Sequence, residues 1–305
     1  MKKLYMLMAA VLIMVIIGCG SDSVPASNDY TSANIGTLKY VPAGSFQRDA
    51  TLANISTVTS GFRMSKYEIT RAQFLAIMGT DPSDIGHSSG TGDPVQQINW
   101  YHAIAFCNKL SIAEGLDQVY SVTVSGTPVD FTTLTYADIP TSANTDWDAA
   151  TADWSANGYR LPTEMEWMWA AMGATRGSRY TSPTYLTGYL KAFAGGNGTS
   201  PIGDYAWYVG NSTATHPVGR TLANELGLYD MSGNVMEWCW DWYDAYPGGA
   251  LPSITNDGRG AVSGTHRVVR GGSWYDDAKS VTVAYRGSFY PDDSDDGCGL
   301  RVVRN

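Results

Sequence analysis

Histidine and cysteine are scarce in this sequence of 305 residues, with four of each. His87, His102, His216 and His266 stand far apart, so no stretch carries a histidine-rich metal motif, and His102 falls on an expected helix as an ordinary structural residue. Cys19, Cys107, Cys239 and Cys298 are equally scattered. No pair has metal-ligand spacing, and with Cys19 set aside the odd remainder gives no disulfide framework. Basic residues are few, Lys and Arg totalling 20 against 29 Asp and Glu, for a net charge of -9. That balance argues against a nucleic-acid partner, because phosphate contact rests on Lys and Arg. Long apolar runs are missing too: the uncharged stretch Leu4 to Ile17 is shorter than the roughly 20 residues a spanning helix needs. No internal repeat of fixed period appears.

What is present begins with that short run. Two lysines, the apolar stretch and Gly18-Cys19 have the order of a secretory signal, with Cys19 placed as the lipid-accepting residue of a loose lipobox. The expected organisation is a signal peptide over 1–18, a flexible polar tether over 19–37 and one large domain over 38–305. Lipid on Cys19 would anchor the chain in a bacterial envelope, at the outer membrane and cell surface.

Within the domain, Thr70 is placed to cap a helix through Met78, and Asn99 a second helix carrying Ala103, Phe106, Cys107 and Leu110 at helical spacing. Residues 117–155, rich in Thr, Ser, Asp and Ala, read as an inserted hairpin or loop. Pro162 and Thr163 precede a third helix, with Glu164 and Glu166 suited to its positive end. Short strands are expected at VVRGGSW, VTVAYR and GLRVVR. Few short helices among many loops make an α+β domain.

The motifs KYEIT, PVQQINWYHAIAFCNKLS, YRLPTEMEWMWAA, GLYDMSGNVMEWCWDWY, RGGSW and GLRVVR occur in the order of the formylglycine-generating-enzyme (sulfatase-modifying factor) family. The chain resembles that family from about Tyr40 to Arg304. The resemblance implies a C-type lectin fold, loop-rich with little regular structure. The family's oxidase uses a cysteine pair shortly after GGSW, binding copper through thiolates, whereas the matching positions here hold Asp276 and Val281. The related sulfoxide synthases use an iron site with several histidines. The resemblance therefore carries the fold without the reaction. It also implies a structural calcium ion, with carboxylates from Asp230 and Glu237 and carbonyls from Gly233 and Val235. The alternative for these residues is that Asp230 opens a turn and Glu237 pairs with an arginine. No cofactor is required otherwise.

A second likeness concerns the stretch between RGGSW and GLRVVR. It resembles the mutable segment of the variable proteins of diversity-generating retroelements, which share the lectin fold. In those systems template adenines are copied as any base, so an Asn codon scatters to Tyr, Asp, Ser, Gly, Phe or Cys and never to Trp, Met, Glu, Gln or Lys. Tyr275, Asp276, Asp277, Ser280, Tyr285, Gly287, Ser288, Phe289, Tyr290, Asp292, Asp293, Asp295, Asp296, Gly297 and Cys298 all fall in the allowed set. Lys279 breaks the pattern and needs a different ancestral codon or a place outside the variable set. Val281 and Val283 alternate as a core-facing strand would. Tyr, Phe, Ser, Gly and Asp are also paratope chemistry, giving large contact area and adaptable polar groups.

The leading expectation is a lipid-anchored, non-enzymatic protein that binds a protein or other macromolecular ligand through residues 275–298, Lys279 included. The acidic segment favours a basic or polar partner. One alternative is an oxidase of the formylglycine-generating or sulfoxide-forming type with an atypical site. Another is a plain structural envelope lipoprotein.

Overall fold

The structure is a computed structural model that describes residues 28–49, 54–174, 191–196, 200–245 and 254–305. The signal peptide and Cys19 lie outside the described residues. The chain opens with a hairpin of β1 (Tyr30–Ser32) and β2 (Gly36–Val41), followed by β3 (Gly44–Gln47), β4 (Ile55–Val58) and β5 (Phe62–Ser65). Residues 30–37, expected in the tether, are therefore folded. Ile35 is buried, and the Ser32 hydroxyl accepts the Asn34 and Ile35 amides at 3.1 and 3.0 Å, closing the turn.

Thr70 caps α1 (Arg71–Met78) in a reciprocal box with Gln73, and Asn99 caps α2 (Trp100–Ala113) through the His102 amide. Helix α2 is buried on nearly every side from Trp100 to Ser111, the pattern of a helix at the centre of a core. His102 lies inside it, its ring stacked on Tyr136 at 4.4 Å, and burial lowers its pKa to about 4. It is a neutral packing residue.

The segment 117–155 contributes β6 (Tyr120–Ser121), the hairpin β7 (Thr123–Val124) and β8 (Thr127–Pro128), α3 (Thr145–Asp148) and β9 (Thr151–Ala152). The hairpin agrees with expectation, but the segment is no surface appendage. Phe131, Ile139 and Trp147 join the same core cluster as α2, and Tyr101 donates to Asp148 at 2.7 Å. Thr163 then caps α4 (Glu164–Ala171), its box closed by Glu166.

The remaining strands are β10 (Met236–Trp242), β11 (Ile254–Asn256), β12 (Arg267–Arg270), β13 (Gly287–Phe289), β14 (Cys298–Gly299) and β15 (Val303–Arg304). One four-stranded sheet has the order β1-β2-β5-β15, which sets the end of the chain beside its opening hairpin. A second runs β13-β12-β10-β14, and β11-β4-β3 form a third. VTVAYR is not a strand: residues 281–284 are turns and bends, although Val281 and Val283 are fully buried.

Candidate ligand-binding face

Strand β10 anchors the segment at both ends. Glu237 lies opposite Arg270 of β12 on one side and Gly299 of β14 on the other. Everything from Gly271 to Cys298 is thus a closed excursion that leaves and rejoins the sheet beside one residue. Gly272 has φ +67°, and a Cβ there would sit 2.6 Å from the Ser280 carbonyl, so the entry turn requires glycine.

Between those ends the framework holds the segment largely by its backbone carbonyls. Buried Arg270 donates to the carbonyls of Val283 at 2.6 Å and Ala284 at 3.4 Å, and to that of Tyr285. The amides of Val209, Trp100, Gln97 and Met236 donate to Asp276, Pro291, Asp295 and Gly297, and the Trp274 indole donates to the Asp296 carbonyl. A carbonyl is the same whatever side chain stands above it. These bonds therefore fix the path of the segment without reading its side chains.

Beneath the segment, Arg286 forks onto Glu164 at 2.6 and 2.7 Å, with Arg270 3.7 Å from the same carboxylate. Asp241 lies close by, accepting the Glu164 amide at 2.8 Å, and its pKa is raised to about 8 by burial and then by Glu164.

The side chains divide by burial. Asp277, Lys279, Tyr285, Tyr290 and Ser294 are exposed, with Tyr285 at 40% and Tyr290 at 52%. Ser294 was not among the expected binding residues. Tyr275, Asp276, Ser280, Gly287, Ser288, Asp292, Asp293, Asp295 and Asp296 are half-buried. Several of these acids tie the segment's own turns: Asp276 accepts from Ser273, Asp277 from Lys279 and Ser280, Asp293 from the Tyr290 amide, and Asp295 from Tyr275 and Gly297.

Two expected binding residues are corrected. Cys298 is fully buried in β14, inside the main core, and Gly297 is buried where a Cβ would meet Tyr275 and Ser273 at 2.6 and 2.8 Å. Phe289 is half-buried against the core, edge-on to Trp238 at 6.0 Å. Cys298 and Gly297 support the face from within, while Phe289 keeps part of its surface, as Tyr275 does against the same core.

Residues distant in sequence complete it. His266 packs on Tyr290 at 4.0 Å between ring centres, Arg286 lies 4.7 Å over Tyr243, and exposed Val209 sits beside Asp276 through its amide. His87 stacks on Trp274 at 5.0 Å and touches Asp296. His87, Val209, Tyr243 and His266 lie outside the scattered stretch, and exposure marks Val209 and Tyr243 among them.

The residues expected to hold calcium do not fit it. Both Glu237 oxygens are taken by the Arg301 guanidinium at 2.8–3.0 Å, and one also accepts the Trp167 indole at 2.7 Å. Asp230 accepts the Gly219 amide at 2.6 Å and the Thr221 hydroxyl at 3.1 Å, and its φ of +56° marks a tight turn. Buried Arg301 supplies the positive charge here. The third carboxylate of the cluster, Glu68, has its pKa pushed well up by burial and by Asp230, which favours its neutral form.

The oxidase positions are equally plain. Asp276 ties the turn at Ser273 and Val281 is buried. Cys107, Cys239 and Cys298 are free, fully buried thiols whose pKa values burial pushes up, away from the thiolate a copper site uses.

The family model of the sulfatase-modifying factor enzyme 1-like domain matches residues 26–305, and the chain belongs to that family. Its fold is the α+β, C-type-lectin type of the formylglycine-generating enzymes. Among solved structures it is similar to Treponema denticola variable protein 1, with a TM-score of 0.78 and 37% identity over 92% of this chain and 99% of that one. It is 34% identical to the chaperone protein LppX of Paenibacillus barcinonensis over 88% of this chain and 89% of that protein. A formylglycine-generating enzyme of Thermomonospora curvata is 38% identical over a shorter stretch, 42% of each protein.

Proposed function

We propose that this protein is a non-enzymatic ligand-binding lipoprotein, held at the outer membrane surface by lipid on Cys19, whose segment 275–296 is diversified by a retroelement. The observation that carries this reading is the grip on backbone carbonyls between two ends fastened beside Glu237. Such a scaffold holds one backbone path while exposed side chains change. The likeness to a variable protein over nearly the whole of that chain supports it, as do the buried thiols and the absence of cysteine at 276 and 281. Asp277, Asp292, Asp293 and Asp296 against Lys279 make the present face acidic, favouring a basic or hydrogen-bonding surface on a protein partner.

The test is the DNA beyond the 3′ end of the gene. A near-copy of the stretch encoding Arg270 to Arg304, differing only at adenines of the copy, should lie near a reverse-transcriptase gene. Differences should fall on codons of exposed positions such as 277, 285, 290 and 294, and spare 297 and 298. Absence of the copy overturns the retroelement reading; differences spread over buried codons overturn the assignment of the face.

A further inference from the structure

At one edge of this face, Asp84, His87 and Asp296 bring one donor atom each within 4.8 Å of one another. The His87 Nδ1 lies 3.0 Å from an Asp84 oxygen and 2.8 Å from an Asp296 oxygen. Nitrogen and oxygen ligands bind zinc-like ions at about 2.0–2.2 Å, which in a tetrahedral site places neighbouring ligands about 3.4 Å apart. Two of the three separations lie slightly inside that spacing, and all three donor atoms lie within 4.8 Å of one another.

The supports are built as well. The Asp84 Oδ1 accepts the Gly86 amide at 2.7 Å, leaving the other oxygen turned to His87, and Trp274 stacks flat on the imidazole. Two carboxylates, those of Asp84 and Asp296, face the same imidazole nitrogen. The side chains keep 43%, 40% and 22% of their surface for His87, Asp84 and Asp296, leaving the trio open to solvent.

The geometry points to a divalent transition-metal site formed by Asp84, His87 and Asp296, with its remaining positions open to water or to a partner's donor atom. Mixed imidazole and carboxylate ligands suit zinc-class ions over calcium, which takes more oxygens. Resting on the diversified-face reading, one consequence follows: Asp84 and His87 form a fixed half-site, and position 296 decides whether it is completed. The codon set that gives Asp there also gives His and Cys.

The test is zinc titration of the purified domain by calorimetry, with calcium as a parallel arm. One equivalent of zinc should bind, and His87→Ala and Asp296→Asn should each weaken it at least tenfold with circular dichroism unchanged. Asp296→His should restore binding. Calcium should give no stoichiometric heat at this site. Wild-type zinc affinity in both the His87→Ala and Asp296→Asn variants, or no stoichiometric zinc binding, overturns the site. Neither result touches the binding-face reading, which stands or falls on the gene's 3′ flank. A Val262→Ala variant, at a fully exposed position outside the trio and the face, serves as the control that should bind zinc normally.

Discussion

Tyr285 and Tyr290 keep 40% and 52% of their surface exposed, whereas Phe289 between them is half-buried with its ring edge-on to Trp238. The double variant Tyr285→Ala/Tyr290→Ala should hold its melting temperature within about 2 °C, since exposed substitutions cost under about 0.5 kcal/mol. It should lose partner binding, because exposed aromatics are the anchors of such faces. Phe289→Ala alone should cost roughly 2 kcal/mol, below the 3–5 of a fully buried ring, as read from urea unfolding. Equal losses from all three would place the tyrosines in the core. Sequence composition singled out the three aromatics together, because the allowed-codon argument reads residue type and is blind to burial. Cys298 was misplaced for the same reason. Its thiol faces the core of β14, a fact set by pairing with Met236 some sixty positions upstream.

The element that holds the segment is a layer of charge between α4, β10 and β12. Arg270 serves three carbonyls and faces Glu164, so Arg270→Ala strands buried acceptors and should cost about 3–5 kcal/mol in equilibrium unfolding. Asp241 sets a pH signature for the same layer. Its folded pKa of about 8 lies above the value near 4 of an unfolded aspartate, so the native state holds a proton that the unfolded state has released. The stabilisation from this group is full below pH ~4 and is lost as pH rises through about 8. Asp241→Asn should flatten that decline and stabilise the protein at pH 8 by about 2 kcal/mol or more, measured by urea unfolding across the range. An unchanged slope would show that Asp241 is ionised throughout. The helices of this fold were legible from sequence: Thr70, Asn99 and Thr163 each cap where expected, because a cap is a local signal. The alternation of Val281 and Val283 predicts a strand, yet the backbone there is turned. Two valines can drop into a core from a turned backbone as readily as from an extended one, and only a ladder partner tells them apart.

At the scale of the whole molecule, the family motifs carried the architecture, and they did so because each lies at a core junction: Glu68 of KYEIT, Glu237 of the GLYDMSGNVMEWCWDWY stretch and Arg301 of GLRVVR meet in one buried cluster. What remained hidden was the assembly of the face from His87, Val209, Tyr243 and His266, which only the folded chain brings to the segment. Arg301→Met should destabilise by about 3–5 kcal/mol, since it leaves Glu237 buried without its partner. The loss should shrink at low pH, where the stranded carboxylates take up protons.

Strands β14 and β15 follow the scattered segment, and they complete two different sheets. A ribosome must therefore read through every codon of 275–296 before either sheet can close. A copying error that ends the chain early, or shifts its frame, removes GLRVVR together with its grip on Glu237 and Ser65. Under the proposed diversification, position in the gene would thus act as proofreading: a chain that folds has, by that fact, an intact reading frame across the whole of segment 275–296.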